Sequence, residues 1–380
     1  MSLPSLSGGA LYNIVIGMKK LRKALSYLRT AAAYRSVPRQ LADLVLHRLI
    51  LNLAAGDYYR FEFYKPGKGW EEKSRYVALA GSRYWPFENN AFKFTATLSN
   101  KYIQKHLLLG FGLPTPRLIT TLGQGLALQD EDEFRAFLRG LDRDVVIKSI
   151  SSAGGSSIRL VGVHDGQLHA AGVPCAPEDL WRELRGQLAR GYLIEERVRN
   201  SGVLARLNPG CLNTFRVVTL KTKDGRWHCA AVALKIGAPG AVADNNAQGG
   251  IQVNLDARGR PYHAYDFATS TSVTHHPANG INLLELEPDG FDAVVALALE
   301  ASRKFGFFGT IGWDIAQTTD GPMIIEGNIV WGCSSLQRGR PGIITDEIAR
   351  GLDRHRACGR WDRNRLYPGY DKKGWRRLLP

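Results

Sequence analysis

Two apolar, β-branched runs late in the chain flank a short polar turn, the pattern of a β-hairpin. The turn is residues 319–321, with glycine third, where a three-residue hairpin loop needs a left-handed backbone. Pairing outward from Thr318 and Pro322 then places Asp314 directly opposite Glu326. Each strand of this hairpin therefore carries an acidic residue at a matching position.

Side chains alternate between the two faces of a strand, so Asp314, Glu326 and Asn328 are predicted to share one face. The opposite face would carry Ile315, Ile325 and Ile329. Two carboxylates and an amide, with no His or Cys, are the oxygen ligands that Mg²⁺ or Mn²⁺ prefers. The alternative is that these acids are ordinary half-exposed strand residues, since a one-residue register slip would separate Asp314 from Glu326.

A lysine-bearing strand and a Gly/Ser loop precede this hairpin. The strand, residues 144–150, is interrupted by Lys148 and runs directly into a loop of Ser, Ala and Gly at 151–157. Such a loop can fold over a polyphosphate with its backbone N–H groups and hydroxyls, while the lysine reaches phosphate oxygens. A flexible hairpin loop is the alternative. No G-K-[ST] sequence opens a helix here, so this is not a Walker loop.

The remaining periodicity predicts helices interleaved with strands. Helices are predicted over residues 101–107, 131–138, 177–190 and 291–305. Strands are predicted over residues 117–119, 192–198, 213–221, 227–236 and 251–256. Residues 41–64 are predicted as further helix followed by an aromatic run that packs internally. The order predicts a mixed α+β (α/β) fold.

A helix with two possible environments is predicted near the N-terminus. Apolar residues from Leu11 to Ala32 recur at spacings of three and four, while lysines and arginines occupy the other faces. Such a helix can lie on a membrane surface or pack on its own domain. The packing interpretation is preferred because core-facing stripes are the more common.

Composition places the chain among globular proteins, since 44% of residues are apolar and 22% are charged. There is no run of eighteen apolar residues and no signal-peptide core, so neither a membrane-spanning nor a secreted protein is expected. The five cysteines show no C-x-x-C spacing, which argues against a disulfide framework or a zinc site. A reducing cytoplasm is therefore the expected location.

The net charge of +15 is concentrated at the two ends of the chain. Residues 1–40 hold seven Lys or Arg and no acid, and residues 350–380 hold ten Lys or Arg against three Asp. The ends could contact an anionic membrane surface, an acidic partner or nucleic acid. Of these, peripheral attachment to the inner membrane surface is kept as an expectation, and nucleic acid is not an expected partner.

The order of these features resembles an ATP-grasp enzyme, most closely the sugar-transfer-associated ATP-grasp group. The resemblance runs from about residue 58 to residue 338. Its motifs are Asn100-Lys101, residues 112–116, Val146-Ile147-Lys148 with Gly154-Gly155, residues 193–196, residues 213–216, Asn245 with Gln248-Gly249-Gly250, Gly312-Trp313-Asp314, and residues 320–322 and 325–328. Each motif is weak alone, but their order is specific and favours the metal interpretation of the hairpin.

The resemblance implies an ATP-grasp fold in which two α+β subdomains clamp a nucleotide, preceded by a basic helical extension. The implied regions are residues 1–90 as a helical N-terminal region, 91–145 as a linker subdomain, 146–200 as a lid subdomain, 201–345 as a metal-binding subdomain and 346–380 as a basic tail.

The resemblance also implies roles for single residues. Lys101 and Lys148 would contact the phosphates or adenine of ATP. The loop that carries Ser152, Gly154, Gly155 and Ser156 would close as a lid. Glu195, Glu196 and the backbone through Val198 would hold the adenine edge. Asp314, Glu326 and Asn328 would hold Mg²⁺ or Mn²⁺, which with the lysines neutralises the phosphate charge.

The implied reaction joins a small carboxylate to an amine, a thiol or another nucleophile through an acyl phosphate, and releases ADP and phosphate. Arg216 is the candidate to stabilise the acyl-phosphate oxygens, together with Lys148. Weaker candidates for substrate contacts are Asn213, Lys235, Asn245, Gly249 and Gly250. Many ATP-grasp ligases have another basic residue just after the position of Asn328, and this chain does not, so Trp331 is expected to line an aromatic or sugar-shaped pocket.

Two other functions stay open. An ATP-grasp phosphotransferase would use the same nucleotide residues but pass the phosphoryl group directly to a hydroxyl. A basic membrane-binding or nucleic-acid-binding protein would carry only a vestigial ATP site.

Overall fold

The computed structural model describes residues 25–51, 53–77, 90, 94–151, 158–164, 166–340 and 342–351. The predicted lid residues Ser152, Gly154, Gly155 and Ser156 lie outside this range, as do the predicted basic tail beyond residue 351 and the predicted N-terminal helix before residue 25.

The described chain alternates helices and antiparallel strands, which confirms the mixed α+β class. After helical residues 25–32, the helices are α1 Val37–Leu51, α2 Ala55–Arg60, α3 Trp70–Ser74, α4 Ala96–Ser99, α5 Lys101–Gly110, α6 Glu131–Arg139, α7 Pro177–Leu184, α8 Gly202–Leu207, α9 Phe291–Lys304, α10 Cys333–Leu336 and α11 Asp346–Gly351. The strands are β1 Leu118–Leu122, β2 Val145–Ser149, β3 Ile158–His164, β4 Gln167–Ala170, β5 Val173–Pro174, β6 Tyr192–Glu196, β7 Thr214–Lys221, β8 Trp227–Ile236, β9 Ile251–Leu255, β10 Pro261–Asp266, β11 Thr271–Val273, β12 Thr310–Thr318 and β13 Gly321–Asn328. No helix in the described ranges has the length and apolar character needed to cross a membrane.

The first sheet has six strands in the order β1-β6-β2-β3-β4-β5. Helices α6 and α7 cover one face through buried residues such as Phe134 and Leu180, which pack with Ile147 and Ile194 of the sheet. This sheet already begins with β1, and the predicted boundary between residues 145 and 146 falls inside β2. Part of the region predicted as a linker, 91–145, therefore belongs to the first sheet.

The second sheet has seven strands in the order β11-β10-β9-β8-β7-β12-β13. Helix α9 covers one face, where Val294 and Ala298 pack with Phe215 and Trp313 in the largest apolar cluster. The opposite face changes character along the strands. It is apolar at one end, around Val218 and a buried segment after β13, and charged at the other end.

The β12–β13 hairpin corrects the predicted turn. Thr318 pairs with Gly321 rather than with Pro322, so the loop has two residues, and Gly321 has a φ of 97°. A β-bulge between Asp314 and Ile315 then shifts the register by one residue, and Asp314 still pairs with Glu326. The extra residue is taken up on β13, so the pairing of the two acids was predicted correctly although the turn was wrong.

The bulge also changes which isoleucine faces the core. Ile324 is fully buried with Ile315 in the α9 cluster, whereas Ile325, predicted for that face, lines a cavity between the sheets. The prediction for Ile325 was wrong because one inserted residue reverses the alternation of side chains beyond it. An apolar side chain is thereby turned toward the acid-bearing side of the hairpin.

Helix α5 joins the two sheets. Asn100 caps it by accepting the backbone N–H groups of Tyr102 and Ile103, both at 3.0 Å. The Gln104 side chain makes two hydrogen bonds with the backbone of Gly327 in β13, of 2.8 and 3.0 Å. The backbone N–H of Lys101 donates to the carbonyl of Ile150, just after β2, at 3.1 Å. Side chains on α5 are therefore held between the two sheets.

An aromatic cluster lies apart from both sheets. It contains Tyr58, Tyr59, Phe61, Phe63, Tyr64 and Tyr76. These rings are buried against one another and against α1, which confirms that the aromatic run packs internally.

Substitution of Trp313 tests the packing of the second sheet against α9. Its side chain is fully buried, its ring lies 5.5 Å from that of Phe305, and its Nε1 donates to the Ser302 hydroxyl at 2.8 Å. We expect Trp313→Ala to lower the free energy of unfolding by about 3–5 kcal/mol, because it opens a cavity under α9. Urea unfolding followed by far-UV circular dichroism measures this. Trp70→Ala, at a half-exposed tryptophan, is the control and should cost about 1 kcal/mol; an equal loss in both variants would contradict the assigned role of Trp313.

Candidate active site

A cavity of about 290 Å³ lies between the two sheets. Lys148 and Glu195 of the first sheet line it together with Val198, just after β6, and Thr214 of the second sheet lines it together with Asp244, in the loop after β8. Much of the remaining wall is aliphatic, from Val146, Ile158, Leu160, Leu212 and Ile325. The cavity thus combines an apolar slot with charged groups, the usual composition of a small-molecule site.

Glu195 is buried between two lysines. The strands β2 and β6 are neighbours, and the Lys148 Nζ lies 2.6 Å from one carboxylate oxygen of Glu195. The Lys105 Nζ lies 2.8 Å from the other. Burial alone would raise the pKa of Glu195, but the two lysines outweigh it and the pKa is lowered. Glu195 is therefore a carboxylate held by two ammonium groups.

Lys105 was not predicted as a site residue. Its side chain is only 2% exposed, and its Nζ donates to the Thr115 hydroxyl at 2.5 Å and to the Pro116 carbonyl at 2.9 Å. Burial lowers its pKa to about 8, against the attraction of Glu195, so the group stays protonated at pH 7. The available signal was its place one turn after Lys101, since residues four apart share a helix face.

The end of β6 borders the cavity. Glu196 and Val198 line it together with Glu195. The backbone N–H of Glu196 donates to the carbonyl of Arg117 at 2.9 Å, which fixes this segment against β1. The Glu195 carboxylate itself is engaged by Lys105 and Lys148.

Asp314 is the matching buried carboxylate of the second sheet. The Arg216 guanidinium grips it in bidentate fashion, with Nε donating at 2.6 Å and Nη2 at 2.9 Å, and the Lys235 Nζ lies at 3.4 Å. Arg216 and Asp314 are direct partners across β7 and β12, which places them on one face. Burial alone would raise the pKa of Asp314, but Arg216 and Lys235 lower it to about 2.

A second carboxylate next to Asp314 was missed by sequence reasoning. Asp244 lies 3.2 Å from the Lys235 Nζ and accepts a hydrogen bond from the Thr214 hydroxyl. Its pKa is raised by burial and by the nearby charge of Asp314, despite Lys235. Asp244 follows β8 in a polar loop, and nothing local marked it out. Only the folded chain brings it beside Lys235.

The three predicted metal ligands are brought together. The Asn328 amide donates to Asp314 at 3.4 Å and to Glu326 at 3.3 Å, and the Lys101 Nζ lies 3.2 Å from Glu326. Within the described ranges no three acids, His or Cys form a metal-binding group. Two carboxylates and an amide still fit Mg²⁺ or Mn²⁺, which commonly take their other ligands from water and phosphate.

Several weaker candidates support the loops around the site. Asn213 is fully buried, donates to the Leu204 carbonyl at 2.9 Å and accepts from the Gly237 N–H at 3.2 Å. A side chain at Gly250 would come within 2.6 Å of a backbone oxygen, and Gly249 has a φ of 87°. The Asn245 carbonyl accepts the N–H groups of Gln248 and Gly250, at 3.0 and 3.4 Å. These residues shape the loop that carries Asp244.

Trp331 is not placed as predicted. It is 1% exposed, its Nε1 donates to the Thr310 hydroxyl at 3.0 Å, and it packs in the apolar cluster at the far end of the same sheet face. The prediction of a pocket wall was wrong because the chain turns after β13 onto the apolar end of the sheet. Gly312 makes room for it, since a Cβ there would lie 2.5 Å from the Trp331 Cβ.

Comparison with solved structures finds enzymes of similar architecture at low identity. N5-carboxyaminoimidazole ribonucleotide synthetase from Thermotoga maritima has 12% identity and a TM-score of 0.34, covering 63% of this chain and 44% of that one. L-amino acid ligase from Bacillus licheniformis has 15% identity and a TM-score of 0.40, covering 70% and 54%. D-alanine–D-alanine ligase from Bacillus anthracis has 14% identity and a TM-score of 0.36, covering 67% of each chain. This chain spans less than half of the length of the synthetase.

Sequence comparison identifies the family. No curated protein matches the chain. A family model described as sugar-transfer associated ATP-grasp matches residues 81–344, which is more than half of the chain. The chain therefore belongs to the sugar-transfer associated ATP-grasp family, and the ATP-grasp fold predicted from its ordered motifs is confirmed.

Proposed function

We propose that the chain is an ATP-dependent ligase that activates a small carboxylate as an acyl phosphate and transfers it to an amine or a thiol. One observation carries the proposal: Glu195 lines the cavity from the first sheet, Asp314 adjoins its opposite wall through Lys235 and Asp244, and each of these two buried carboxylates is held by two basic side chains. Three of these four basic groups, Lys148, Arg216 and Lys235, are proposed to exchange their carboxylate partners for a polyphosphate and an anionic substrate.

The adenine of ATP is proposed to occupy the aliphatic slot. Val146, Ile158, Leu160 and Ile325 supply its walls, and the backbone from Glu196 to Val198 borders its edge. The predicted lid glycines, Gly154 and Gly155, follow β2 in sequence and are proposed to cover the phosphates. Lys148 and Lys101 are proposed to contact phosphate oxygens. Each lysine would thereby exchange its carboxylate partner for a phosphate.

Lys105 gives that exchange a physical basis. When Lys148 turns from Glu195 to a phosphate, Glu195 keeps the Lys105 ammonium at 2.8 Å and is not left as a bare buried charge. Lys105 touches no expected substrate atom, so its role would be to position Glu195 and Lys148. Thr115 and Pro116 hold the Lys105 ammonium in place during the exchange.

The acyl-transfer end is proposed to lie on the second sheet. Asp314, Glu326 and Asn328 would hold Mg²⁺ or Mn²⁺, which when bound offsets the negative charge of the β- and γ-phosphates. Arg216 and Lys235 would then be released from Asp314 and contact the substrate carboxylate. The carboxylate oxygen attacks the γ-phosphorus, ADP leaves, and the same two side chains would contact the resulting acyl phosphate. A guanidinium fork suits two oxygens of such an anion. Displacement of phosphate by the amine or thiol completes the transfer.

Substitution of Glu326 tests the proposed metal site. We expect Glu326→Gln to lower ATP turnover about 100-fold or more, because one anionic ligand is lost where charge must be neutralised. Its thermal unfolding should be unchanged, since the side chain is 29% exposed. Asp320→Asn, in the exposed turn of the same hairpin, is the control and should keep full turnover. Metal-dependent turnover that survives in Glu326→Gln would contradict the metal assignment.

The release of ADP and phosphate distinguishes a ligase from a phosphotransferase and from a protein with a vestigial ATP site. A screen of amino acids, amino sugars and hydroxy acids with Mg²⁺ and ATP, read by ADP and free phosphate, should give both products when an acid and an acceptor are present. ADP without free phosphate would instead indicate a phosphotransferase. A vestigial site would give no ADP and no ATP-dependent stabilisation, although a ligand at about 100 times its Kd should add about 2.7 kcal/mol.

The buried charges predict a non-additive pair of substitutions. Glu195→Gln leaves two buried ammonium groups without a carboxylate and should cost about 3–5 kcal/mol of unfolding free energy. Adding Lys105→Met removes one of these charges, so the double variant should be more stable than Glu195→Gln alone. Glu196→Gln, at the half-exposed neighbour, is the control and should cost less than about 1 kcal/mol. Additive losses in urea unfolding would show that the two side chains are not coupled.

The lowered pKa of Lys105 predicts a pH dependence of stability. Its folded pKa is about 8, below its ordinary value, so above pH 8 the unfolded chain binds more protons than the folded chain. Lys105 therefore makes the wild type more stable as pH rises from 8 toward its ordinary value, by at most about 1.4 kcal/mol per pH unit. Lys105→Met should lack this rise. Parallel unfolding free energies for the two proteins across this range would contradict the assignment.

A further inference from the structure

Helix α1 carries its aliphatic side chains on the surface. Leu41, Val45 and Leu49 are 55%, 61% and 74% exposed. Val37, Leu46 and Ile50 are also exposed. At 3.6 residues per turn these six positions span an arc of roughly 220°. Isolated exposed aliphatic residues are normal, but a continuous face of this kind marks a contact surface.

The inward face of the same helix is unusually polar. Gln40 is fully buried, donates to the Arg35 carbonyl at 2.8 Å and accepts from the Tyr59 hydroxyl at 3.2 Å. His47 is 2% exposed, and its ring lies 4.7 Å from that of Trp70. The helix is thus fixed by hydrogen bonds and rings as well as by Leu44 and Leu51. Its orientation is set by these contacts, and the aliphatic face is left outward.

Charge around the exposed face is positive. The one acid of α1, Asp43, is turned inward, where it accepts from the Tyr58 hydroxyl at 2.9 Å and pairs with Arg35 at 3.0 Å. Arg39 and Arg48 are exposed and lie near the two borders of the aliphatic arc. Residues 1–40 contain seven Lys or Arg and no acid. An aliphatic face bordered by arginines is the pattern of a helix that lies in a membrane interface.

We propose that α1 is a membrane-docking helix that rests in the plane of an anionic lipid surface. Its aliphatic face enters the boundary between headgroups and acyl chains, and Arg39 and Arg48 contact lipid phosphates. A second copy of the chain fits this face less well, because a two-fold contact would bring the same arginine-bordered face against itself with no acid to pair. The proposal moves the expected membrane contact from the segment between Leu11 and Ala32 to α1, and it does not depend on the proposed reaction.

Vesicle binding of the full chain tests the proposal. We expect co-sedimentation with vesicles of phosphatidylcholine containing about one third phosphatidylglycerol, and weaker binding to phosphatidylcholine alone or in high salt. Val45→Gln with Leu49→Gln should weaken the partition coefficient about tenfold or more, because two aliphatic side chains no longer leave water. Arg39→Gln with Arg48→Gln should abolish most of the preference for phosphatidylglycerol.

The matched control is Leu109→Gln with Val173→Gln, two aliphatic residues that are 46% and 65% exposed on other elements. It should bind vesicles like the wild type, and every variant should keep the wild-type melting temperature because the changed side chains are exposed. Full vesicle binding by the Val45/Leu49 variant would overturn the proposal, as would equal binding of the wild type to neutral vesicles. A wild-type dimer in size-exclusion chromatography that becomes a monomer in this variant would assign the face to a second copy instead.

Discussion

A carboxylate that is buried without a cation costs several kcal/mol, and this constraint organises both halves of the molecule. In the first sheet, Glu195 fixes Lys148 of β2 and Lys105 of α5 within 2.8 Å of its oxygens. In the second, Asp314 fixes Arg216 of β7 and, more loosely, Lys235 of β8. Gln104 of α5 also bonds to β13, so the helix that carries Lys105 is fixed to the second sheet as well as to the first. The charged positions of the site are therefore set by the same pairing that makes their burial tolerable.

This pairing reconciles a stable fold with a site for highly charged ligands. Nearly every basic group at the cavity already has a carboxylate partner, so the protein without ligands carries little uncompensated charge there. The proposed ligands, a nucleotide and a divalent cation, carry charges of both signs, so the side chains would exchange partners instead of becoming unpaired. Lys105 shows why a third member is useful, because Glu195 keeps one cation when Lys148 is engaged elsewhere. An isolated buried pair would have to break before either member could bind a ligand.

How much the sequence predicts depends on whether a feature is local. The pairing of Asp314 with Glu326 was predicted correctly, although the predicted turn was one residue too long. The β-bulge restores the register that this error in the turn would have shifted. Bulges follow from tertiary fit, so alternation alone could not place Ile325 in the cavity. Lys105 was missed because its carboxylate partner, Glu195, is 90 residues away in sequence. Asp244 was missed because nothing in the loop after β8 shows that the chain turns back toward Lys235. The burial of Trp331 was missed because an aromatic residue after a ligand motif can line a pocket or complete a core.

In helix α1, tertiary contacts determine the orientation of a whole helix face, as they do for the single residues above. Periodicity shows that a helix has an apolar side, but the side chains that surround the helix determine which side is buried. Tyr58 and Tyr59 offer hydroxyl groups to Asp43 and Gln40, and the Trp70 ring lies against His47. These contacts hold the polar side against the aromatic cluster, and the aliphatic side is therefore exposed on the surface. The first forty residues of the chain contain no acid, and the proposed anionic lipid surface would accept both the apolar face and the arginines at its borders.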